Sequence, residues 1–325
     1  GGGGVQFNDA PSPEAIATIL AAHRRGGTTS LLVTLITDTP EITRAAIDAC
    51  ARAREEKMPG LLGLHLEGPH LDLRRKGTHD PALIRPMEAS DLATMTAAVG
   101  TCGHLLVTLA PESATTDQIR ALCAAGAQVS LGHSDCEHDT AQAAFDAGAD
   151  MVTHLFNAMP TLHHRSPGPV AASLSEAHAG RAVIELIADG VHLAADIVRM
   201  VFDLVGAENI ALVTDSMAAT GLQDGRYRLG NLAVTVHERV ARLDSTGAIA
   251  GGTATLLDVV RVTVATGVSL QDAVRSASAV PASVLGLSRH VGDLHKGMRA
   301  DVVVVDSELT LAGVLRHGRW IEQLP

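Results

Sequence analysis

Short runs rich in Val, Leu and Ile alternate with longer Ala- and Leu-rich stretches along most of the chain. The short runs are candidate strands at 28–35, 61–66, 105–110, 128–131, 151–154, 183–187 and 210–214. The longer ones are candidate helices, clearest at 14–25, 41–54, 117–125, 140–147 and 195–205, with Gly or Asp/Ser/Thr at the junctions. Strands that alternate with helices build βαβ units, in which each helix crosses over between parallel strands. The expectation is an α/β chain folded as a (β/α)8 TIM-like barrel, an architecture that carries its chemistry at the C-terminal ends of the strands.

Seven strands are countable before Asp215, and a closed barrel wants eight. The chain opens on four glycines directly ahead of its first helix, so the first barrel strand is expected upstream of residue 1, on roughly 50 further residues that include a few strands of a small domain. Beyond Asp215 the texture changes. Stretches 227–236 and 240–244 read as a hairpin, 253–265 and 270–278 as helices, and 300–306 and 311–321 as strands around a turn at Ser307 and Glu308. Residues 1–294 are therefore assigned to the barrel, and 295–325 to the C-terminal part of a small β-sandwich domain.

The 325 residues suit one large α/β domain, and 46% hydrophobic with only 2% aromatic content implies an aliphatic core. A net charge of -11 argues against nucleic acid or an anionic membrane surface as partner, so an anionic substrate needs a local basic pocket. No apolar run reaches the ~20 residues that span a bilayer, and no signal-peptide pattern opens the chain. Cys50, Cys102, Cys123 and Cys136 contain no CxxC pair and read as small buried hydrophobes. A reduced, soluble, cytoplasmic setting is expected.

Four polar residues stand directly after predicted strands. Glu67 follows Gly63-Leu64-His65-Leu66, His133 follows Val129-Ser130-Leu131-Gly132, His154 follows Met151-Val152-Thr153, and Asp215 follows Ala211-Leu212-Val213-Thr214. One carboxylate and two imidazoles from neighbouring strand ends can converge on a divalent cation, and an open coordination position makes such a site catalytic. Taken singly, each residue also fits a plainer role. A strand-end histidine is often structural, Glu67 before Gly68-Pro69 could cap the next segment, and Asp215 before Ser216 could be a helix N-cap.

The strings Leu64-His65-Leu66-Glu67-Gly68-Pro69, Gly132-His133-Ser134, Thr153-His154-Leu155-Phe156-Asn157-Ala158-Met159, Asp189-Gly190-Val191-His192 and Val213-Thr214-Asp215 occur in one order, followed by Ile249-Ala250-Gly251 and Lys296-Gly297-Met298-Arg299-Ala300-Asp301. In this the chain resembles the N-acetylglucosamine-6-phosphate deacetylases of the amidohydrolase superfamily, nearly end to end. The resemblance implies that Glu67, His133 and His154 are the metal ligands and Asp215 the catalytic acid/base. It also makes His79 the residue that contacts the acetamide oxygen, although its loop position alone suggests an exposed histidine. Asn157, Ala158, Ala250 and Gly251 match sugar-binding positions, and Arg165 and His192 match positions that hold the substrate, its phosphate included. Relatives are commonly homodimers. The chain departs from the family's pattern at Gly252, where a serine is usual, and the HxH pair common on the first barrel strand would fall upstream of residue 1, so one metal site is visible and a second is undetermined.

The activity implied is hydrolysis of the acetamide of N-acetyl-D-glucosamine 6-phosphate, giving acetate and D-glucosamine 6-phosphate. Asp215 would act first as general base and then as general acid, and His79 would stabilise the oxyanion. Zinc is the first expectation for the metal, and Fe, Mn, Co or Cd also suit two imidazoles and a carboxylate. One rival is a cyclic-amide hydrolase of the same superfamily, which would use a bridging lysine, yet none of Lys57, Lys76 and Lys296 ends a predicted strand. Another is a non-catalytic barrel that binds amino-sugar phosphates.

Overall fold

The computed structural model describes residues 1–323. Seven strands, β1 (Leu31–Ile36), β2 (Leu61–Glu67), β3 (His104–Leu109), β4 (Gln128–Leu131), β5 (Met151–Val152), β6 (Val183–Leu186) and β7 (Ile210–Leu212), follow one another in chain order in one sheet. Helices α1 (Pro13–Arg25), α2 (Pro40–Glu55), α3 (Ala89–Cys102), α4 (Thr116–Ala125), α5 (His138–Asp146), α6 (Gly168–His178) and α7 (Ala195–Val205) alternate with them. The strands paired from β2 to β6 run parallel, with Glu67 opposite Thr108 and Leu131 opposite Val152. This is the βα order of a TIM-like barrel, as the hydrophobic pattern predicts.

Local chemistry sets the helix starts. Thr39 accepts the Ile42 N–H ahead of α2, with Pro40 at a first-turn position where its missing N–H costs nothing. Thr115 and Gln118 cap α4 reciprocally. Two of these seven helices escape the sequence reading. α3 carries Gly100 and four hydroxyl residues, which blur its apolar stripe, and α6 opens on Pro167-Gly168-Pro169, which reads as a breaker. Strand β5 is also shorter than the predicted 151–154, because the chain turns at Thr153.

The chain divides into two compact units. One comprises Phe7–Ile16 and Leu32–Glu185, and the other Gly1–Gln6, Ala17–Leu31 and Leu186–Pro325. In the first, Leu64, Leu66, Leu105, Leu109, Leu122 and Leu131 are buried, an aliphatic core in keeping with the composition. Cys50, Cys102 and Cys136 are buried there as free thiols and Cys123 is partly exposed. Cys50 and Cys102 are neighbours, since the Cys50 thiol lies 3.8 Å from the Cys102 carbonyl oxygen.

The second unit adds strands β8 (Gly225–Leu229), β9 (Leu232–His237) and β10 (Val240–Leu243), which form an antiparallel sheet. The predicted run 227–236 is thus two strands that turn at Gly230. Helices α8 (Leu256–Ala265), α9 (Leu270–Ala277) and α10 (Ala279–Val284) follow. Strands β11 (Val302–Val305), β12 (Leu311–Arg316) and β13 (Arg319–Gln323) close the chain as a second antiparallel sheet, the predicted run 311–321 turning at His317 and Gly318. Leu324 and Pro325, the end of the expected 295–325 segment, lie outside the described residues. Among the described residues no helix is long and apolar enough to cross a membrane.

Candidate active site

Glu67 is the last residue of β2, while His133 and His154 sit just past β4 and β5 in left-handed backbone at φ 49° and 31°. That region is unfavourable for residues with a Cβ and persists only where the surroundings impose it. Phe156 and Ala158 repeat it at φ 75° and 52°, so the segment after β5 is tightly wound. Here the winding turns the His154 ring back toward Glu67. Glu67 Oε1 lies 3.0 Å from His133 Nε2 and 3.1 Å from His154 Nε2, and the two nitrogens are 3.1 Å apart. All three side chains are buried, and the three donor atoms could hold one metal ion.

The hydrogen bonds behind these atoms fix their chemistry. His133 Nδ1 lies 2.8 Å from the carbonyl oxygen of Arg75, which can only accept, so Nδ1 is the donor there and Nε2 is the ring nitrogen left to offer its lone pair to a metal ion. Burial opposes ionisation of Glu67, yet His133 and His154 outweigh it and hold the carboxyl well below the usual carboxylate range. A carboxylate oxygen and an imidazole lone pair directed at one point suit a divalent cation.

His79 joins this cluster and is buried, not the exposed loop residue its position suggests. Its ring centroid is 4.5 Å from that of His133, and its Nε2 is 3.9 Å from Glu67 Oε1. Burial, with His133 beside it, lowers its pKa to about 3, so it is a neutral imidazole. Thr37, just past β1, holds its other nitrogen, with Oγ1 at 2.7 Å and the backbone N–H donating at 3.3 Å. One layer below, Thr34, His65, Thr108, Thr153 and Ser130 form a hydroxyl and imidazole chain across five strand segments, with contacts of 2.6–3.1 Å.

The remaining predicted positions of this unit are Asn157, whose side-chain amide donates to the His154 carbonyl at 3.2 Å, Ala158, and Arg165. Arg165 is exposed and donates to His164 Nε2 at 2.8 Å.

The second unit carries the other predicted positions. Asp215 follows β7, also left-handed at φ 46°, and its backbone oxygen accepts the Gly252 N–H at 2.7 Å. This places Ala250 and Gly251 beside the Asp215 backbone. A Cβ at residue 252 would lie 2.0 Å from the Thr214 oxygen, so this backbone excludes the serine usual there. His192 Nδ1 donates to Asp189 at 2.8 Å, both side chains being buried. Asp189 also accepts the N–H groups of Val191 and His192 at 2.9 Å each. The Asp-Gly-Val-His string is thus a closed turn that fixes the His192 ring through Nδ1.

Sequence reasoning missed Thr37, Arg75 and Asp135. Thr37 obeys the same rule as the four strand-end residues, being a polar side chain just past a strand, and that signal could have found it.

A family model described as the amidohydrolase family matches residues 7–321. An N-acetylgalactosamine-6-phosphate deacetylase from Escherichia coli O157:H7 is 39% identical over 325 residues, which cover 98% of this chain and 84% of that one. The N-acetylglucosamine-6-phosphate deacetylase of Homo sapiens is 37% identical over 331 residues, covering 99% and 81%. A mutant N-acetyl-D-glucosamine-6-phosphate deacetylase from Mycobacterium smegmatis, solved with N-acetyl-D-glucosamine-6-phosphate, superposes with a TM-score of 0.91 at 40% identity, covering 99% and 84%. This chain belongs to the amidohydrolase family, in its N-acetylglucosamine-6-phosphate deacetylase branch.

Proposed function

We propose that the protein hydrolyses the acetamide of N-acetyl-D-glucosamine 6-phosphate to D-glucosamine 6-phosphate and acetate. The observation that carries this reading is the buried cluster of Glu67, His133 and His154 with the neutral His79 against it. Glu67 Oε1, His133 Nε2 and His154 Nε2 would hold a divalent ion, zinc in the first instance, with Fe, Mn, Co or Cd compatible with the same donors. Such an ion, when bound, acidifies water and polarises a carbonyl.

The protein's own groups do the rest. Thr37 keeps the His79 proton on Nε2, from where it donates to the oxygen that becomes an oxyanion. Asp215 takes a proton from the attacking water and delivers it to the departing nitrogen, which an amide requires. Arg165 and His192 hold the phosphate, with Asp189 fixing the orientation of the imidazole through Nδ1. Asn157, Ala158, Ala250 and Gly251 line the sugar.

The Escherichia coli relative favours a second reading for the sugar, its C4 epimer N-acetylgalactosamine 6-phosphate. We further place the protein in the cytoplasm as a homodimer, with residues 1–294 as the catalytic barrel and 295–325 as part of a small β-domain. Acetate release from both acetylated sugar phosphates, unphosphorylated N-acetylglucosamine and a cyclic amide tests the assignment. The highest kcat/KM is expected for N-acetylglucosamine 6-phosphate, and turnover confined to the cyclic amide would overturn it.

A further inference from the structure

We propose that the Arg75–Asp135 ion pair is a positioning device that sets metal affinity by fixing the imidazole of His133. The inference rests on the metal reading above. His133 Nδ1 donates to the Arg75 carbonyl at 2.8 Å, and this bond makes Nδ1 the protonated nitrogen of a ring that offers its Nε2 lone pair to a metal ion. What holds that carbonyl is the side chain of Arg75 itself. Its Nε and Nη2 lie 2.7 and 2.6 Å from Asp135 Oδ1.

Asp135 is two residues beyond His133, so the bonds close a ring. It runs from the His133 imidazole to the Arg75 backbone, along the Arg75 side chain to Asp135, and back along the main chain. Asp72 adds a parallel tie, its N–H donating to the His133 carbonyl at 2.9 Å. Arg74 bridges Asp72 and Asp135 at 2.7 and 2.8 Å. Glu112 anchors the Asp135 end by accepting its N–H and the Ser134 hydroxyl, at 2.7 Å each.

Segment 72–79 therefore lies as a strap over the ring. Gly77 lets it approach, since a Cβ there would come within 3.2 Å of His133 Cε1. The strap ends in His79, so one fastening steadies both the metal-side imidazole and the neutral donor. Arg75 and Asp135 keep 33% and 19% of their side-chain surface exposed. An ion pair that open contributes little to global stability. Its effect is instead local, on where a ring nitrogen points.

Simple electrostatics and positioning make opposite predictions for Arg75→Gln. Removing a positive charge near a cation site strengthens binding on electrostatic grounds. Loss of positioning weakens it, by roughly 10- to 100-fold for a lost orienting partner of a ligating histidine. The experiment is the Zn2+ dissociation constant by chelator competition for wild type, R75Q, D135N, the double variant and H133A, with circular dichroism and melting of the metal-free proteins. We expect R75Q and D135N each to weaken Zn2+ about 10-fold or more, the double variant to lose no more than the worse single one, and all to keep the wild-type fold. R75Q binding Zn2+ as tightly as wild type, or tighter, would overturn the proposal. Wild type failing to bind Zn2+, or H133A binding it normally, would instead bring down the metal reading and the proposal with it. Should R75Q not fold, Arg75→Lys keeps the charge and loses the two-nitrogen contact, and the same weakening is expected of it, with wild-type affinity counting against the proposal.

Discussion

Thr37 and His79 meet through one ring nitrogen, the Thr37 Oγ1 lying 2.7 Å from His79 Nδ1 while the Thr37 backbone N–H donates to the same atom at 3.3 Å. A nitrogen that accepts an N–H cannot carry a proton, so the His79 proton resides on Nε2, the atom 3.9 Å from Glu67 Oε1. Thr37→Val removes the hydroxyl at nearly constant volume and should lower kcat by roughly 10-fold or more with little change in KM, while Thr37→Ser should restore most of it. Steady-state kinetics decide this, and a Val variant at wild-type kcat would show that the backbone N–H suffices.

Asp215 stands past β7 in left-handed backbone, an orientation that a strand alone would not impose. Asp215→Asn keeps the shape and loses the proton acceptor. We expect kcat to fall by roughly 10² or more while substrate still binds, measured by turnover and calorimetry. A kcat close to wild type would remove Asp215 from proton transfer.

Arg165 and His192 should separate phosphorylated from unphosphorylated substrate. Arg165→Ala and His192→Ala are expected to raise KM for the sugar phosphate about 10-fold or more and scarcely affect an unphosphorylated analogue. Equal penalties on both substrates would mean that the two residues serve the sugar or the fold.

Asp258 links stability to pH away from the site. It is the third residue of α8 and caps the helix with Thr255 while pairing with Arg239 and Arg261. Burial opposes its ionisation, but the Thr255 N–H and Arg239 outweigh this and bring the pKa from 3.8 to about 2. A carboxyl depressed on folding stabilises the fold above its unfolded pKa, and that stability disappears as pH falls from about 4 to about 2. Asp258→Asn should therefore cost about 1–2 kcal/mol at pH 7, the upper end of a helix cap, with the gap closing near pH 2. Chemical denaturation at both pH values checks it, and a constant gap would contradict it.

Strand positions were legible because short aliphatic runs are set off from the helical stretches, several of them ending at a polar residue, as at Leu66-Glu67 and Thr214-Asp215. The burial of His79 was not, since nothing in Lys76-Gly77-Thr78-His79 shows that the segment folds back over His133. The part Arg75 plays was invisible for a different reason. It acts on His133 through a backbone carbonyl, which every residue has, and only the fold selects this one. The strained backbone at His133, His154 and Asp215 was equally hidden, because tertiary contacts impose it against local preference.

Anomalous diffraction from crystals of the active, metal-loaded enzyme, collected on either side of the metal's absorption edge, tests the central claim most directly. The account predicts a peak enclosed by Glu67, His133 and His154, absent from His133→Ala together with acetate release. Active crystals whose metal peaks all lie away from these three residues, or a His133→Ala enzyme with full metal and normal turnover, would contradict it.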